Sequence, residues 1–327
     1  MKRPLHPSCT VGDVGEFGLI GRIQRQLARR PRSKRGKSVV VGIGDDCAVL
    51  RSVDRARYLL YTCDPVVEGM HYLPDAPPRH VGWKAMARNL SDIAAMGGQP
   101  RWAVVSIGLR RRTSVAYVQQ LYAGMQSAAE QFGCIIVGGD STHVRHEQFV
   151  VVALLGDVEK RHLTLRSGAR VGDVVFVTGA LGGSMSGKHL RFTPRVAEAQ
   201  WLVSHFRVHS MIDLSDGLSS DLRRCIEASR MRIGFEIDAN RIPMASAARG
   251  SLTAALNDGE DFELLFTIDP RRRAALQRQW KRRFTTALTK IGRVVRGHGA
   301  ITLVNLDTRR RSARQRLQPR GYDHFNP

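Results

Sequence analysis

One pattern, repeated along the chain, limits what this sequence can fold into: a short apolar run, usually a glycine, then one or two aspartates. Val39-Val40-Val41 leads into Gly42-Ile43-Gly44-Asp45-Asp46, and the run Tyr58 to Cys63 into Asp64. Ile135-Ile136-Val137 leads into Gly138-Gly139-Asp140-Ser141-Thr142, and Met211-Ile212 into Asp213-Leu214-Ser215-Asp216-Gly217. Apolar runs closed by glycine read as buried strands that end in tight turns. Each turn taken singly is also an ordinary Asp-rich surface turn or helix cap. Recurrence is what gives the pattern weight. Two ionised carboxylates about 4 Å apart repel by roughly 4 kcal/mol at an effective dielectric near 20, so a fold that pools several of them calls for a cation. Magnesium suits such a place, because it takes oxygen ligands and keeps water and phosphate around it.

The chain has 327 residues and 43% hydrophobic content, enough for two α/β domains with substantial cores. The polar, basic stretch from Glu159 to Gly172 marks the boundary, giving units 1–158 and 159–327. No apolar run is long enough to cross a bilayer and no hydrophobic signal core follows Met1-Lys2-Arg3-Pro4, so the expected location is the cytoplasm. Cys9, Cys47, Cys63, Cys134 and Cys225 are scattered and form no CxxC pair, which argues against a disulfide framework and a structural zinc. The balance of 51 Lys and Arg against 29 Asp and Glu gives a net charge of +22, a field that attracts polyanions. Its blocks, Arg22 to Lys37, Arg271 to Arg283 and Arg309 to Arg320, lack the interleaved aromatics and the motifs of nucleic-acid readers, so a solvated basic surface is the favoured reading over a nucleic-acid partner.

Helical spacing predicts helices over Glu16 to Arg30, Trp83 to Met96, Val115 to Phe132, Arg195 to Phe206 and Ala245 to Leu256. The segment Pro31 to Lys37 reads as a linker. Val150 to Leu155 is almost wholly apolar, which predicts a strand covered on both faces. Asp92 sits among small residues, where backbone can approach closely. Gly182 to Lys188 reads GGSMSGK after a strand, as a phosphate-binding P-loop would, but His189 stands where the magnesium-binding hydroxyl belongs. With no P-loop and no protein-kinase signatures, acids at several turns describe a polymetal phosphate site of another class.

Several motifs, in order, carry a resemblance: GEFGLI at 15–20, GIGDDCAVL at 42–50, TCD and GMHYLPD within 62–75, NLSDIAAMGGQP at 89–100, GGDST at 138–142, TLRSGARVGD at 164–173, IDLSDGL at 212–218, GEDFELLF at 259–266 and GYDHF at 321–325. Together they resemble the thiamine-monophosphate kinase family. The resemblance implies a two-domain, mixed α/β fold like that of aminoimidazole ribonucleotide synthetase, with an N-terminal domain forming a dimeric β-barrel and a C-terminal α/β sandwich. It implies a homodimer that uses ATP and several Mg2+ ions to phosphorylate thiamine monophosphate directly, without a phosphoenzyme.

Position by position, it implies Asp46, Thr62, Asp64, Asp92, Asp140, Asp213 and Asp216 as magnesium ligands, Cys63 through its carbonyl, with Asp46, Asp213 and Asp216 central to catalysis. It likewise implies Tyr122, Gly139, Asp140, Arg166 and Ser215 at ATP, and His71, Glu260 and Tyr322 at thiamine monophosphate. Departures are Cys63 for the usual Thr, a short segment between Gly187 and Met211, and Asp258 before Gly259. Rival readings are a selenophosphate synthetase, whose reactive Cys and Lys setting Cys9 lacks, a hydrogenase-maturation enzyme, whose terminal Cys is absent from the end at Phe325-Asn326-Pro327, and a basic nucleic-acid-binding protein on an inactive kinase fold.

Overall fold

Each strand read from the sequence forms, and several run past the acid expected to end them. The computed structural model describes residues 10–28, 38–297, 299–305, 314–322 and 324–325. Its first half holds α1 (Val11–Ala28), β1 (Val39–Val41), β2 (Ala48–Arg51), β3 (Arg57–Val67), α2 (Pro78–Ala95), β4 (Gln99–Leu109), α3 (Val115–Gln131), β5 (Ile135–His143) and β6 (Phe149–Glu159). The second half holds β7 (Val174–Thr178), α4 (Val196–His205), β8 (Val208–Asp213), α5 (Leu218–Ala228), β9 (Ile233–Asp238), α6 (Leu252–Asn257) and β10 (Leu264–Ile268). It closes with α7 (Arg273–Arg283), β11 (Leu288–Arg296), β12 (Ile301–Val304) and β13 (Arg314–Leu317).

The strands make two sheets, ordered β1-β2-β3-β6-β4-β5 and β13-β12-β9-β11-β7-β10-β8. Only two neighbouring pairs are parallel, β4 with β5 and β12 with β9. No helix among the described residues is long and apolar enough to cross a membrane.

Alternation along the strands decides what packs where. In β7, Val174 and Phe176 face one core while Val175 and Val177 face another, so the whole strand is buried. The first core is continuous from the inner face of the first sheet (Leu60, Val105, Val152), through Met86, Leu90 and Ile93 of α2, to α4, α7 and one face of the second sheet. Burying each such large apolar side chain contributes about 1.5–3 kcal/mol. Helix α2 is the shared wall, packed on β3 and β6 of one sheet and β8 of the other. It opens on Pro78 at its first turn and closes on Gly97, whose φ of 72° supplies the left-handed step after the last turn. The second core lies under α5 and α6, on the far face of the second sheet.

Four expectations are corrected. Strand β6 is not covered on both faces: Val150, Val152 and Leu154 are buried, but Val151, Ala153 and Leu155 are only half-buried on a face that no helix among the described residues covers. Asp64 and Asp140 do not end their strands, which continue to Val67 and His143. Ala245 to Leu256 is not one helix, because Arg249 and Gly250, both at positive φ, separate a short 3-10 turn from α6. Helix α1 starts earlier than expected and is kinked at Gly15, with φ 64°. The linker Pro31 to Lys37 and residues 309–313 of the last basic block lie outside the described residues.

Helices α2 and α3 cross so closely that a Cβ on Gly82 would lie 1.9 Å from the Leu121 carbonyl oxygen, and one on Gly124 1.9 Å from that of Arg79. Overpacking of this kind costs about 1–3 kcal/mol or more. Gly124→Val is therefore expected to lower the unfolding free energy obtained from denaturant titration by at least that amount, whereas Gly138→Ala, with nothing within 4 Å of its Cβ position, should change it little.

Candidate active site

The acids converge at α2. Carboxylate oxygens of Asp46, from the turn after β1, Asp92, from α2, and Asp213, from the end of β8, all lie within 4.8 Å of one another. Three elements distant in sequence thus deliver one carboxylate each. Hydroxyls tie the pool down: Ser91 donates to Asp213 Oδ2 at 2.5 Å, and Thr62 on β3 donates to Asp92. Asp64 stands beside them, its backbone N–H donating to Asn89 Oδ1 at 3.1 Å. Arg166 is the cation inside the pool, its Nη2 2.5 Å from Asp46 Oδ1 and its backbone N–H donating to Asp45 Oδ2 at 3.2 Å.

This crowding leaves an electrostatic mark. Burial and the neighbouring Asp46 carboxylate push Asp45 and Asp213 each up to about 7, Arg166 offsetting part of the rise. Burial, then Asp64, Asp213 and Asp46, drive Asp92 well above the usual carboxylate range. Asp216 is raised to about 6 by burial and by Glu16. Meanwhile Asp46 Oδ2 is buried without a hydrogen-bond partner. An orphaned carboxylate oxygen inside a ring of acids is the donor set of a hard divalent cation, so Asp46, Asp92 and Asp213 fit magnesium.

Next to the pool lies a cavity of about 120 Å³, lined by Met70, His71, Lys84, Arg88, Met185, Ser215, Asp216, Asp258, Glu260, Tyr322 and His324. Its floor is the turn after β8. There Leu214 N–H donates to Glu263 O (2.8 Å), Glu260 N–H to Ser215 O (2.7 Å) and Tyr322 N–H to Asp216 O (3.1 Å). Glu260 and Phe262 both adopt positive φ, 56° and 49°, the kind of backbone strain that persists only where surrounding structure holds it. His71 is 5% exposed. Its Nδ1 accepts the Val67 N–H at 3.1 Å, so the ring proton sits on Nε2, which is buried with no partner. Burial, aided by Arg88, Lys84 and His324, lowers its pKa to about 3, and the ring is a neutral donor.

The residues named from the sequence fall into three groups. Asp46, Thr62, Asp64, Asp92, Asp213 and Arg166 meet in the pool, and His71, Ser215, Asp216, Glu260 and Tyr322 meet around the cavity. Tyr122, Gly139, Asp140 and the Cys63 side chain stand elsewhere. Tyr122 lines a separate recess with Gln126, Cys134 and Ile135. Asp140 pairs in register with Ser106, Val151 and Pro65, on the open face of the sheet and opposite to the pool, and its Oδ1 accepts its neighbour Ser141's N–H at 2.8 Å. Cys63 is exposed on that same open side.

The glycine segment after β7 is no open phosphate cradle. Gly182 and Gly183 N–H groups donate to Asp261 and Asp258, and Lys188 Nζ is 3.1 Å from Glu263 Oε1. Residues that the sequence reading missed are Lys84, Arg88, Ser91 and His324. Spacing held a clue for the first two, which stand one turn apart on α2, with Asp92 one turn further.

Because Asp45 and Asp213 have folded pKa values raised to about 7, the fold favours their protonated forms. The stability this contributes is complete below the ordinary carboxylate pKa of about 4 and is lost as pH rises through about 7. Without divalent cations the melting temperature is expected to fall from about pH 5 to pH 8, less steeply in Asp213→Asn, and added magnesium to raise it most at the alkaline end. A melting temperature that rises over that range in scanning calorimetry would contradict the electrostatic description.

The family model for the N-terminal domain of AIR synthase related proteins matches residues 44–158. The chain is 37% identical to the thiamine-monophosphate kinase of Rhodopirellula baltica over 90% of this chain and 94% of the relative. It is 32% identical to that of Aquifex aeolicus over 96% of this chain and 99% of the relative. The solved structure of AaThiL complexed with AMPPCP and TMP superposes with a TM-score of 0.79 at 30% identity, covering 98% of this chain and 100% of that one. Likeness at 30–37% identity over 90% or more of this chain and of each of these relatives runs nearly end to end, and on that footing the chain belongs to the thiamine-monophosphate kinase family.

Proposed function

We propose that the acid pool and the cavity beside it transfer the γ-phosphoryl group of ATP directly to the phosphate of thiamine monophosphate, giving ADP and thiamine diphosphate. The observation that carries the reading is adjacency: pooled carboxylates suited to metal–nucleotide binding share helix α2 with a cavity that mixes a carboxylate, cations and an aromatic ring. Asp46, Asp64, Asp92, Asp213 and Asp216, with Thr62 and the Cys63 carbonyl, are the residues that would hold Mg2+. When bound, magnesium neutralises charge on the nucleotide's phosphates and on the group in flight.

The chain's own residues then have positional tasks. An oxygen of the acceptor phosphate forms the new bond to the γ-phosphorus as the bond from that phosphorus to the β–γ bridging oxygen breaks, and ADP keeps the electron pair. A phosphate acceptor is already ionised, so no general base is needed and alignment is the main requirement. Arg166 supplies positive charge to the ATP phosphates, and Ser215 a hydroxyl. Glu260 matches the cationic thiazolium, Tyr322 covers an aromatic ring, and neutral His71 donates from Nε2. Cys47, Cys63, Cys134 and Cys225 are free thiols, in keeping with the expected cytoplasmic location.

The uncovered face of the first sheet supports the homodimer. Tyr61, Leu155, Trp102 and Ile135 are in register across β3, β6, β4 and β5 as an apolar row, with Val104 and Val137 beside it. Trp102 is 46% exposed and Ile135 62%. Patches of this kind mark interaction surfaces, and a second copy of the same face meets the need. Asp140 lies on this side, so the copy-to-copy contact is its way to a nucleotide.

Two outcomes are expected. Purified protein with ATP, Mg2+ and thiamine monophosphate forms thiamine diphosphate, and Asp213→Ala or Asp46→Ala lowers the rate by at least about 100-fold. Retention of wild-type turnover in those variants would defeat the site assignment. In sedimentation equilibrium the wild type is expected to be a dimer and Val104→Asp a monomer, and a wild-type monomer at micromolar concentration would remove the dimer.

A further inference from the structure

Helix α2 sends two cations into the wall between the acid pool and the cavity. They are not equivalent. Lys84 is 0% exposed and held from two sides: its Nζ donates to His71 O at 2.7 Å and pairs with Glu260 Oε2. It fixes the loop that carries His71 and the carboxylate of Glu260. Arg88 is held more loosely. Its Nε donates to Asp64 Oδ2 at 3.2 Å and its Nη1 to Glu260 Oε1 at 3.3 Å, while the guanidinium lies 5.8 Å from the centroid of the Phe262 ring. Among the described residues Nη2 makes no hydrogen bond, and a guanidinium has five N–H groups to place.

Arg88 therefore reaches from a carboxylate of the pool to a carboxylate of the cavity and lines the cavity itself. An acceptor phosphate entering there would meet Asp64, Asp216 and Glu260, all repulsive to it. A second, independent observation points to the same ligand chemistry: His71 also lines the cavity, and its Nε2–H is buried without an acceptor. A planar cation and a neutral donor residue lining one cavity among acids make a place for a phosphate monoester.

We propose that Arg88 recognises the phosphate of the acceptor, orienting it toward the acid pool and discriminating phosphorylated from unphosphorylated thiamine, with Lys84 acting as a positioning residue through their shared Glu260. The inference rests on the kinase reading and adds to it the residue that selects the acceptor. Its fork of donors suits two phosphate oxygens at once, which a lysine at the same place could not match.

The test compares dissociation constants for thiamine monophosphate and for thiamine, measured by calorimetry on the full-length protein with Mg2+ and a non-hydrolysable ATP analogue. Wild type should prefer the phosphorylated ligand. Arg88→Gln should weaken thiamine monophosphate by about 10- to 100-fold, the scale of charge-assisted hydrogen bonds, and change thiamine by less than about twofold. Arg88→Lys keeps a charge against Asp64 and Glu260 and serves should the glutamine variant not fold; it should lose several-fold of the preference while binding thiamine normally. Equal weakening of both ligands, or an unchanged ratio in a folded variant, would overturn the role of Arg88 while leaving the kinase reading intact. A wild type that shows no preference and makes no thiamine diphosphate would overturn both.

Discussion

Like-charge crowding at the junction of two sheets is the constraint on which the rest of this structure depends. Each close pair of ionised carboxylates costs roughly 4 kcal/mol at an effective dielectric near 20, against a net folding stability of only about 5–15 kcal/mol. The chain tolerates Asp46, Asp92 and Asp213 together because α2, packed on both sheets, fixes Asp92 and leaves it nowhere else to go. Arg166 offsets part of the repulsion, and the Ser91 and Thr62 hydroxyls take up two carboxylate oxygens. What remains unbalanced is an attraction for further positive charge.

A similar economy governs the turn after β8. Gly217 and Gly259 adopt positive φ, and the Cβ that either lacks would meet backbone of the other loop, Asn257 for Gly217 and the Ser215 oxygen for Gly259 at 2.7 Å. That contact lets the segment 259–263 pair with 214–215 and presents Glu260 to the cavity. Gly321 sits just as tightly against Ser220, which brings Tyr322 and His324 over the same opening. Asp213, Asp216 and the cavity wall are thus held by one set of close backbone approaches. The neighbouring glycines at 182–183 use theirs differently, spending their amides on Asp258 and Asp261, so a segment that reads like a phosphate loop is a structural brace.

Much of this was legible in the sequence, for a physical reason. Period-two apolar runs and glycine turns are local signals, so the strands and the acids that follow them can be read directly, whereas Asp92, on a helix, is marked as a ligand only by the family resemblance. What could not be read was the side of the sheet on which each acid falls. Asp64 and Asp140 look alike in the chain, yet register places Asp64 beside the pool and Asp140 on the opposite face, three strands away. The apolar sequence of β6 was read as covered on both faces, when the chain itself covers one. Lys84 and Arg88 escaped notice because a charged residue on a helix reads as solvated, and only the packing of α2 on both sides makes Lys84 a buried clamp.

The central claim is that Asp46, Asp92 and Asp213 form one divalent-cation centre. Its most direct test is an anomalous difference map from crystals grown with Mn2+ and a non-hydrolysable ATP analogue. The account predicts peaks within coordination distance of those three carboxylates, beside the nucleotide's phosphates. Bound nucleotide with manganese elsewhere, and these three side chains still held only by Arg166, Ser91 and Thr62, would contradict it.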